Sequence, residues 1–261
     1  MKRLPMMNGR PVRPKKGPNS LVVYQGPSAL DGQPIVAIVS GLANASDNAK
    51  TGAMAQLWIL ADTGETPNEA QKSGGDASVC GDCPLRPLAV KDARKRGTGY
   101  GTRKGEKMCY VVTFQGPRSV YSSYKRGNIP TDLARAVKLT RGRALRLGAY
   151  GDPAAIPEAA GVVQRLCKAA RSVTGYTHQW RDPRHAWLQV HAMASVETEL
   201  GAWQAWRSGW RTFRVSAQPM RSLARVETPC PAYTHGVTCD DCRLCGGASV
   251  QARSIWIQAH R

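Results

Sequence analysis

The chain is short of carboxylates: 18 Asp and Glu stand against 37 Lys and Arg in 261 residues, a formal charge of +19. Solubility needs far less than this, so the excess points to a polyanionic partner. Neutralising phosphates releases counterions and makes such a surface bind nucleic acid in a salt-dependent way. Long apolar runs are missing as well. No stretch approaches the roughly 20 residues of a spanning helix, and no amphipathic anchor is evident, so no membrane partner is expected. The start, MKRLPMMNGRPVRPKKGP, has basic residues but no apolar core of a secretory signal, which implies a cytoplasmic protein with reduced thiols. The glycine spacing of a Walker loop is also absent. The polar loop Asn44 to Gly52 therefore argues against nucleotide hydrolysis, and leaves Lys50, Thr51 and the amide near Gly52 to hold a single phosphate of a nucleic acid.

Residues 1–19 carry Lys2, Arg3, Arg10, Arg13, Lys15 and Lys16 among prolines and glycines, and read as a basic arm with too little apolar surface to fold alone. Residues 20–261 read as a single α/β domain. Pro34 to Gly41 is a continuous apolar run suited to a buried parallel strand, and Met54 to Leu60 to a strand or short helix. Pro67 to Gly75 reads as a surface loop, and Cys109 to Phe114 as a strand. The basic excursion Lys91 to Lys107 reads as a flexible loop that offers Lys95, Arg96, Arg103 and Lys104 to DNA, with Tyr100 available for stacking.

The plan is clearest between Arg143 and Ser216, where apolar runs repeatedly end in polar or ring-bearing residues. Ala144 to Asp152, Ser172 to Trp180, Trp187 to Glu197 and Arg211 to Ser216 read as strands, with helical patterns after Pro153 and from Leu200 to Arg207. Strand–helix alternation is the pattern of a parallel sheet, in which ligands sit beyond the carboxyl ends of the strands. Tyr150, Asp152, Tyr176, His178, Gln179, Trp180, Glu197 and Arg214 are thereby candidates for one pocket. Asp152 and Glu197 are candidate catalytic carboxylates, since a pair at neighbouring strand ends can divide nucleophilic and acid/base work at a sugar carbon. Asp152 can equally cap the helix that starts at Pro153, and Glu197 can sit in the first turn of the next helix. His178, Gln179 and Trp180 together form a kit for holding a flipped base.

The eight cysteines are informative by spacing. Cys230, Cys239, Cys242 and Cys245 form C-x8-C-x2-C-x2-C in a module at 229–247, a complete thiolate set for structural Zn2+, with an iron–sulfur cluster as its rival. Ser254 to His260 reads as a last strand after it, which makes the module an insertion. Cys80 and Cys83, with Cys109 further on, would give three ligands of a second metal site, with His178 or water as a fourth.

The ordered segments LDGQPIVAI (30–38), NAKTG (48–52), CGDCPLR (80–86), CYV (109–111), RLGAYGDP (146–153), TGYTHQW (174–180), ASVET (194–198), GWRTFRV (209–215) and the terminal cysteine cluster resemble those of phage-encoded 7-deazaguanine DNA transglycosylases, distant relatives of tRNA-guanine transglycosylase. The resemblance runs from about Gly26 to His260. It implies a TIM-type (β/α) barrel, possibly incomplete, with a zinc module and a carboxylate pair acting at a nucleoside C1′. It also implies exchange of guanine for a free 7-deazaguanine base in DNA. Two features depart from the tRNA enzymes: four cysteines replace three cysteines and a histidine, and no segment matches their DSGGFQ-type base-binding motif. A non-catalytic zinc-stabilised DNA-binding protein and an iron–sulfur enzyme are the other readings open to this sequence.

Overall fold

The computed structural model describes residues 6–7, 10–11, 16–46, 48–95, 109–216, 223 and 225–259. Within the basic arm, β1 (Met6–Met7) pairs antiparallel with β2 (Arg10–Pro11), where composition alone predicts no pairing. The body holds two five-stranded sheets. The first runs β3 (Ser20–Pro27), β4 (Pro34–Ser40), β5 (Ala55–Ala61), β6 (Ala144–Tyr150) and β7 (Ser172–Thr174). The second runs β11 (Glu227–Pro229), β12 (Ser254–Gln258), β10 (Thr212–Ser216), β9 (Met193–Val196) and β8 (Tyr176–Thr177). From β5 onward every pairing is parallel. The protein is thus a mixed α/β structure with two sheets that contain parallel strands. Among the described residues neither sheet closes on itself.

A single residue, Gly175, carries the chain from the first sheet to the second. Its N–H donates to the Cys245 carbonyl and its own carbonyl accepts from Met193. A Cβ there would stand 3.1 Å from Leu147 and 3.3 Å from Ala192, so a larger residue would push the strands apart.

Helices α1 (Pro67–Ser73), α2 (Ala77–Cys80), α3 (Pro87–Lys95), α4 (Gly116–Lys125), α5 (Leu133–Thr140), α6 (Val162–Ala169), α7 (Glu199–Arg207), α8 (Pro231–Thr234) and α9 (Cys239–Cys242) fill the connections. The main core joins Leu21, Ile35, Ile38, Leu57, Ile59, Leu145, Leu147, Leu166 and Val196, all at most 1% exposed. A smaller core joins Met193, Ile255 and Ile257 with Cys230 and Cys245, and Tyr176, Phe213 and Leu244 pack against it. The cysteine segment lies between β11 and β12 and covers this face of the second sheet.

Several local expectations are corrected. β4 is antiparallel to both neighbours, β3 and β5, instead of parallel. Pro67 to Gly75 is helical: Thr66 and Glu69 form a reciprocal capping box and Gly74 closes the end. Cys109 to Phe114 forms no strand, and Lys91 to Lys95 belongs to α3. Pro183–Val190 is a 3-10 helix capped by the Asp182 side chain, so only Met193–Val196 of the expected Trp187–Glu197 strand is extended. Pro153–Ala155 is a 3-10 turn, and the helix proper begins at Val162. Glu227–Pro229, which a linker reading of Ala217 to Pro229 leaves without structure, is the edge strand β11.

Candidate functional site

Two strand ends bring His178 and Glu197 together. His178 follows β8 and Glu197 follows β9, and the parallel pairing of Thr177 with Ala194 sets the two ends side by side. His178 Nε2 lies 2.8 Å from Glu197 Oε1, with both side chains mostly buried. Burial works to lower the imidazole pKa, but the Cys83 thiol group and the Glu197 carboxylate outweigh it and hold it well above the ordinary histidine range. Cys83 Sγ is 4.0 Å from the same nitrogen. Glu197 and Cys83 therefore converge on one edge of the ring.

Behind this pair stands Asp152. Its Oδ1 accepts from the Ala154 amide at 3.0 Å, and its Oδ2 accepts from the His178 amide at 2.8 Å and from Thr177 Oγ1 at 3.1 Å. It is 6% exposed, and burial raises its pKa against these donors. The turn depends on Gly151, at φ 82°, where a Cβ would stand 2.6 Å from the Ile59 carbonyl oxygen. Asp152 thus acts as a cap and as a tether for the His178 backbone. Glu197 precedes Thr198, the N-cap of α7, so it lies outside the helix.

The Cys80–Cys83 knuckle is clamped to the same place. Gln179 Nε2 donates to the Cys80 carbonyl at 3.2 Å, its Oε1 accepts from the Asp82 amide at 3.4 Å, and a Cβ on Gly81 would stand 2.7 Å from that amide group. Arg86 pairs with Asp76 at 2.7 Å and donates to the carbonyls of Gly81 and Gly74. The result is a cleft of about 430 Å³ lined by Asp82, Pro84, His178, Gln179, Arg181, Asp182 and Glu197.

The remaining expected pocket residues lie elsewhere or face inward. Trp180 is 5% exposed, donates to the Ser195 carbonyl at 3.2 Å and is covered by the Arg181 guanidinium 4.0 Å from its centroid, so its ring is used in packing. Arg214 is 2% exposed and forms a two-point ion pair with Glu227 at 2.9 and 2.6 Å. Tyr176 packs tilted against Phe213, with ring centroids 4.5 Å apart, and hydrogen-bonds Cys245. Tyr150 is 3% exposed beside Cys80 and Cys109, and its hydroxyl has no partner among the described residues. Of the expected DNA contacts, Lys50 and Lys95 are exposed, whereas Arg96, Arg103, Lys104 and Tyr100 lie outside the described residues. Pro84, Arg181 and Asp182 line the cleft although nothing in the sequence singles them out, and they are joined by Asp82, which with Asp31 and Asp62 is a carboxylate next in line after Asp152 and Glu197. Arg181 and Asp182 directly follow the expected strand end.

Cys230, Cys239, Cys242 and Cys245 lie near enough to act on one another electrostatically. Burial pushes Cys245 up to about 12, and raises Cys239 against the nearby Arg146. Four thiols are a soft donor set that suits zinc or an iron–sulfur cluster. Among the described residues, however, neither this set nor Cys80, Cys83 and Cys109 is drawn together as a group of three or more ligands that could hold a metal ion. No helix of the described residues is long and apolar enough to cross a membrane.

The geometry defines a mixed α/β protein whose parallel strands end on an imidazole–carboxylate cleft beside a cysteine knuckle. No protein-family model, curated protein or solved structure matches the chain.

Proposed function

We propose that the protein is a DNA-modifying transglycosylase that exchanges guanine for a 7-deazaguanine base in the cleft at the strand ends. The observation that carries the reading is the Glu197–His178 pair at 2.8 Å, inside a cleft that Asp82 also lines. A volume of about 430 Å³ is of the size that admits a small ligand such as a flipped nucleotide base. The +19 charge supplies the attraction for DNA. The fold that goes with this reading is an incomplete TIM-type barrel, in which the two sheets are successive arcs joined at Gly175 and the site lies at the carboxyl ends of the strands.

In this mechanism Glu197 attacks C1′ as the bond to guanine N9 breaks, and guanine leaves with the bonding electron pair and takes the proton of the Asp82 carboxyl, which becomes a carboxylate. The incoming deazapurine gives the corresponding ring-nitrogen proton to Asp82, its nitrogen attacks C1′, and the ester bond to Glu197 breaks, which restores the carboxylate. His178 aligns Glu197, and Asp152 is a positioning residue that holds the His178 backbone. Cys230, Cys239, Cys242 and Cys245 would have to close together to hold a structural zinc under the second sheet, a role that supplies folding free energy and no chemistry.

A test is nucleoside mass spectrometry of DNA incubated with the protein and a free deazaguanine base. Glu197→Gln is expected to abolish exchange with DNA affinity intact, and Asp82→Asn to slow it roughly 100-fold to 10,000-fold. Full activity in Glu197→Gln rules out this nucleophile. A second reading rests on the 4.0 Å contact of Cys83 with His178: Cys80, Cys83, Cys109 and His178 would then hold a cleft metal, as zinc or part of an iron–sulfur cluster. Metal content that falls in Cys83→Ser but is unchanged in Cys242→Ser would favour it.

A further inference from the structure

We propose that Tyr110, backed by Arg146 and Lys50, is a stacking platform for an unpaired base of single-stranded DNA. The inference rests on the DNA reading and names how the strand is held outside the cleft. Tyr110 is 61% exposed, Val112 41% and Phe114 54%. The residues between them are anchored: Val111 packs against the main core, and Thr113 is fully buried with its hydroxyl donating to Gln71 Oε1 at 3.1 Å. The segment is therefore pinned along one side and presents apolar groups along the other.

The ring of Tyr110 is also held in place. Arg146 Nη2 donates to its hydroxyl at 2.7 Å, and the Arg146 guanidinium and Lys50 Nζ each lie 5.9 Å from the ring centroid. Arg146 is on β6, and the loop that carries Lys50 is fixed where the Lys50 carbonyl accepts from the Cys239 amide at 3.0 Å. An aromatic ring kept in solvent beside two cations suits an occupant with both a π face and negative charge, which is a nucleotide. An apolar protein surface would match the ring but brings no negative charge to the two cations beside it. Duplex DNA hides its base faces, so the strand must be unpaired there. Enzymes that take a base out of the stack act on single strands or open the duplex at the target, and either route supplies an unpaired base.

The measurement is fluorescence anisotropy with a labelled oligothymidylate and with an abasic strand of the same length, at fixed salt. Tyr110→Ala is expected to weaken binding of the base-bearing strand roughly 5-fold to 100-fold. Tyr110→Phe, which loses only the hydrogen bond to Arg146, should stay near wild type, and the abasic strand should bind wild type and Tyr110→Ala equally. Tyr110→Leu keeps apolar bulk and should still lose affinity, which separates stacking from a folding defect. Unchanged affinity in Tyr110→Ala, or an equal loss for the abasic strand, overturns the proposal. Neither assay requires base exchange, so an inactive cleft leaves this result standing. Salt-dependent binding of the abasic strand shows separately that the DNA reading holds even where the platform fails.

Discussion

Asp152 and Glu197 both follow strand ends, but of β6 in the first sheet and β9 in the second rather than of neighbouring strands, and they differ in their surroundings. Asp152 is sealed among three donors, and its pKa is raised because burial penalises the charge more than those hydrogen bonds favour it. For a carboxyl with a raised folded-state pKa, the associated stability is fully present below the ordinary value near 3.8 and is lost as pH rises through the folded pKa. Asp152→Asn has no such titration. Its amide also turns one donor toward another, at a cost of about 1–3 kcal/mol. The stability gap between wild type and Asp152→Asn, measured by urea unfolding, should therefore be widest at acid pH and shrink as pH rises. A gap that widens with pH would mean that the carboxylate is favoured in the folded state. Both carboxylates were legible in the sequence as strand-end acids, and the capping alternative for Asp152 is realised by its bond from Ala154. Asp82 stood in the sequence only as a carboxylate next in line with Asp31 and Asp62, and the fold of the knuckle singles it out by turning it into the cleft.

Among elements, the apolar runs identified β4, β5, β6, β10 and β12 because a buried strand needs continuous branched side chains. Short polar helices escaped notice. The T-x-x-E box at Thr66 and the Asp182–Pro183 start are local capping signals that compete with hydrophobic pattern, and the pattern around Trp187 alternates like a strand. The cysteine segment docks through Asp240, which is 1% exposed. Asp240 pairs with Arg171 at 2.5 Å, and its backbone N–H donates to the Thr51 carbonyl. Spacing alone revealed the cysteines but not this anchor. Removal of the carboxylate in Asp240→Ala strands Arg171 beside the buried Arg143, and should destabilise the protein by about 3 kcal/mol, at the low end for a buried pair because Arg171 is partly exposed. Thermal unfolding with no change in midpoint would show that the pair is not needed for docking. If zinc occupies this segment, Cys242→Ser should lose close to one equivalent of metal together with cooperative unfolding, read by elemental analysis and melting. A brown wild-type protein with stoichiometric iron would instead assign the cluster chemistry.

At the level of the whole molecule, charge was the most readable property and architecture the least. Composition alone gives +19, whereas the passage from one sheet to the other turns on the single residue Gly175, which no periodicity announces. The charge is also unevenly spread along the chain: Lys2, Arg3, Arg10, Arg13, Lys15 and Lys16 fall within the first sixteen residues. If these cations neutralise phosphates, each one releases about one counterion, and the slope of log affinity against log salt carries about −0.9 per neutralised phosphate on duplex DNA. Deletion of residues 1–16 should then weaken binding and flatten the slope by about one unit for each phosphate that the arm had neutralised. Base exchange at saturating DNA should continue, because the cleft residues are untouched. Titrations between about 50 and 200 mM salt measure both quantities. A deletion that lowers affinity with an unchanged slope would assign the arm a non-electrostatic role. Binding that ignores salt in the full chain would remove DNA as the partner, since no surface of this charge can hold a polyphosphate without displacing its counterions.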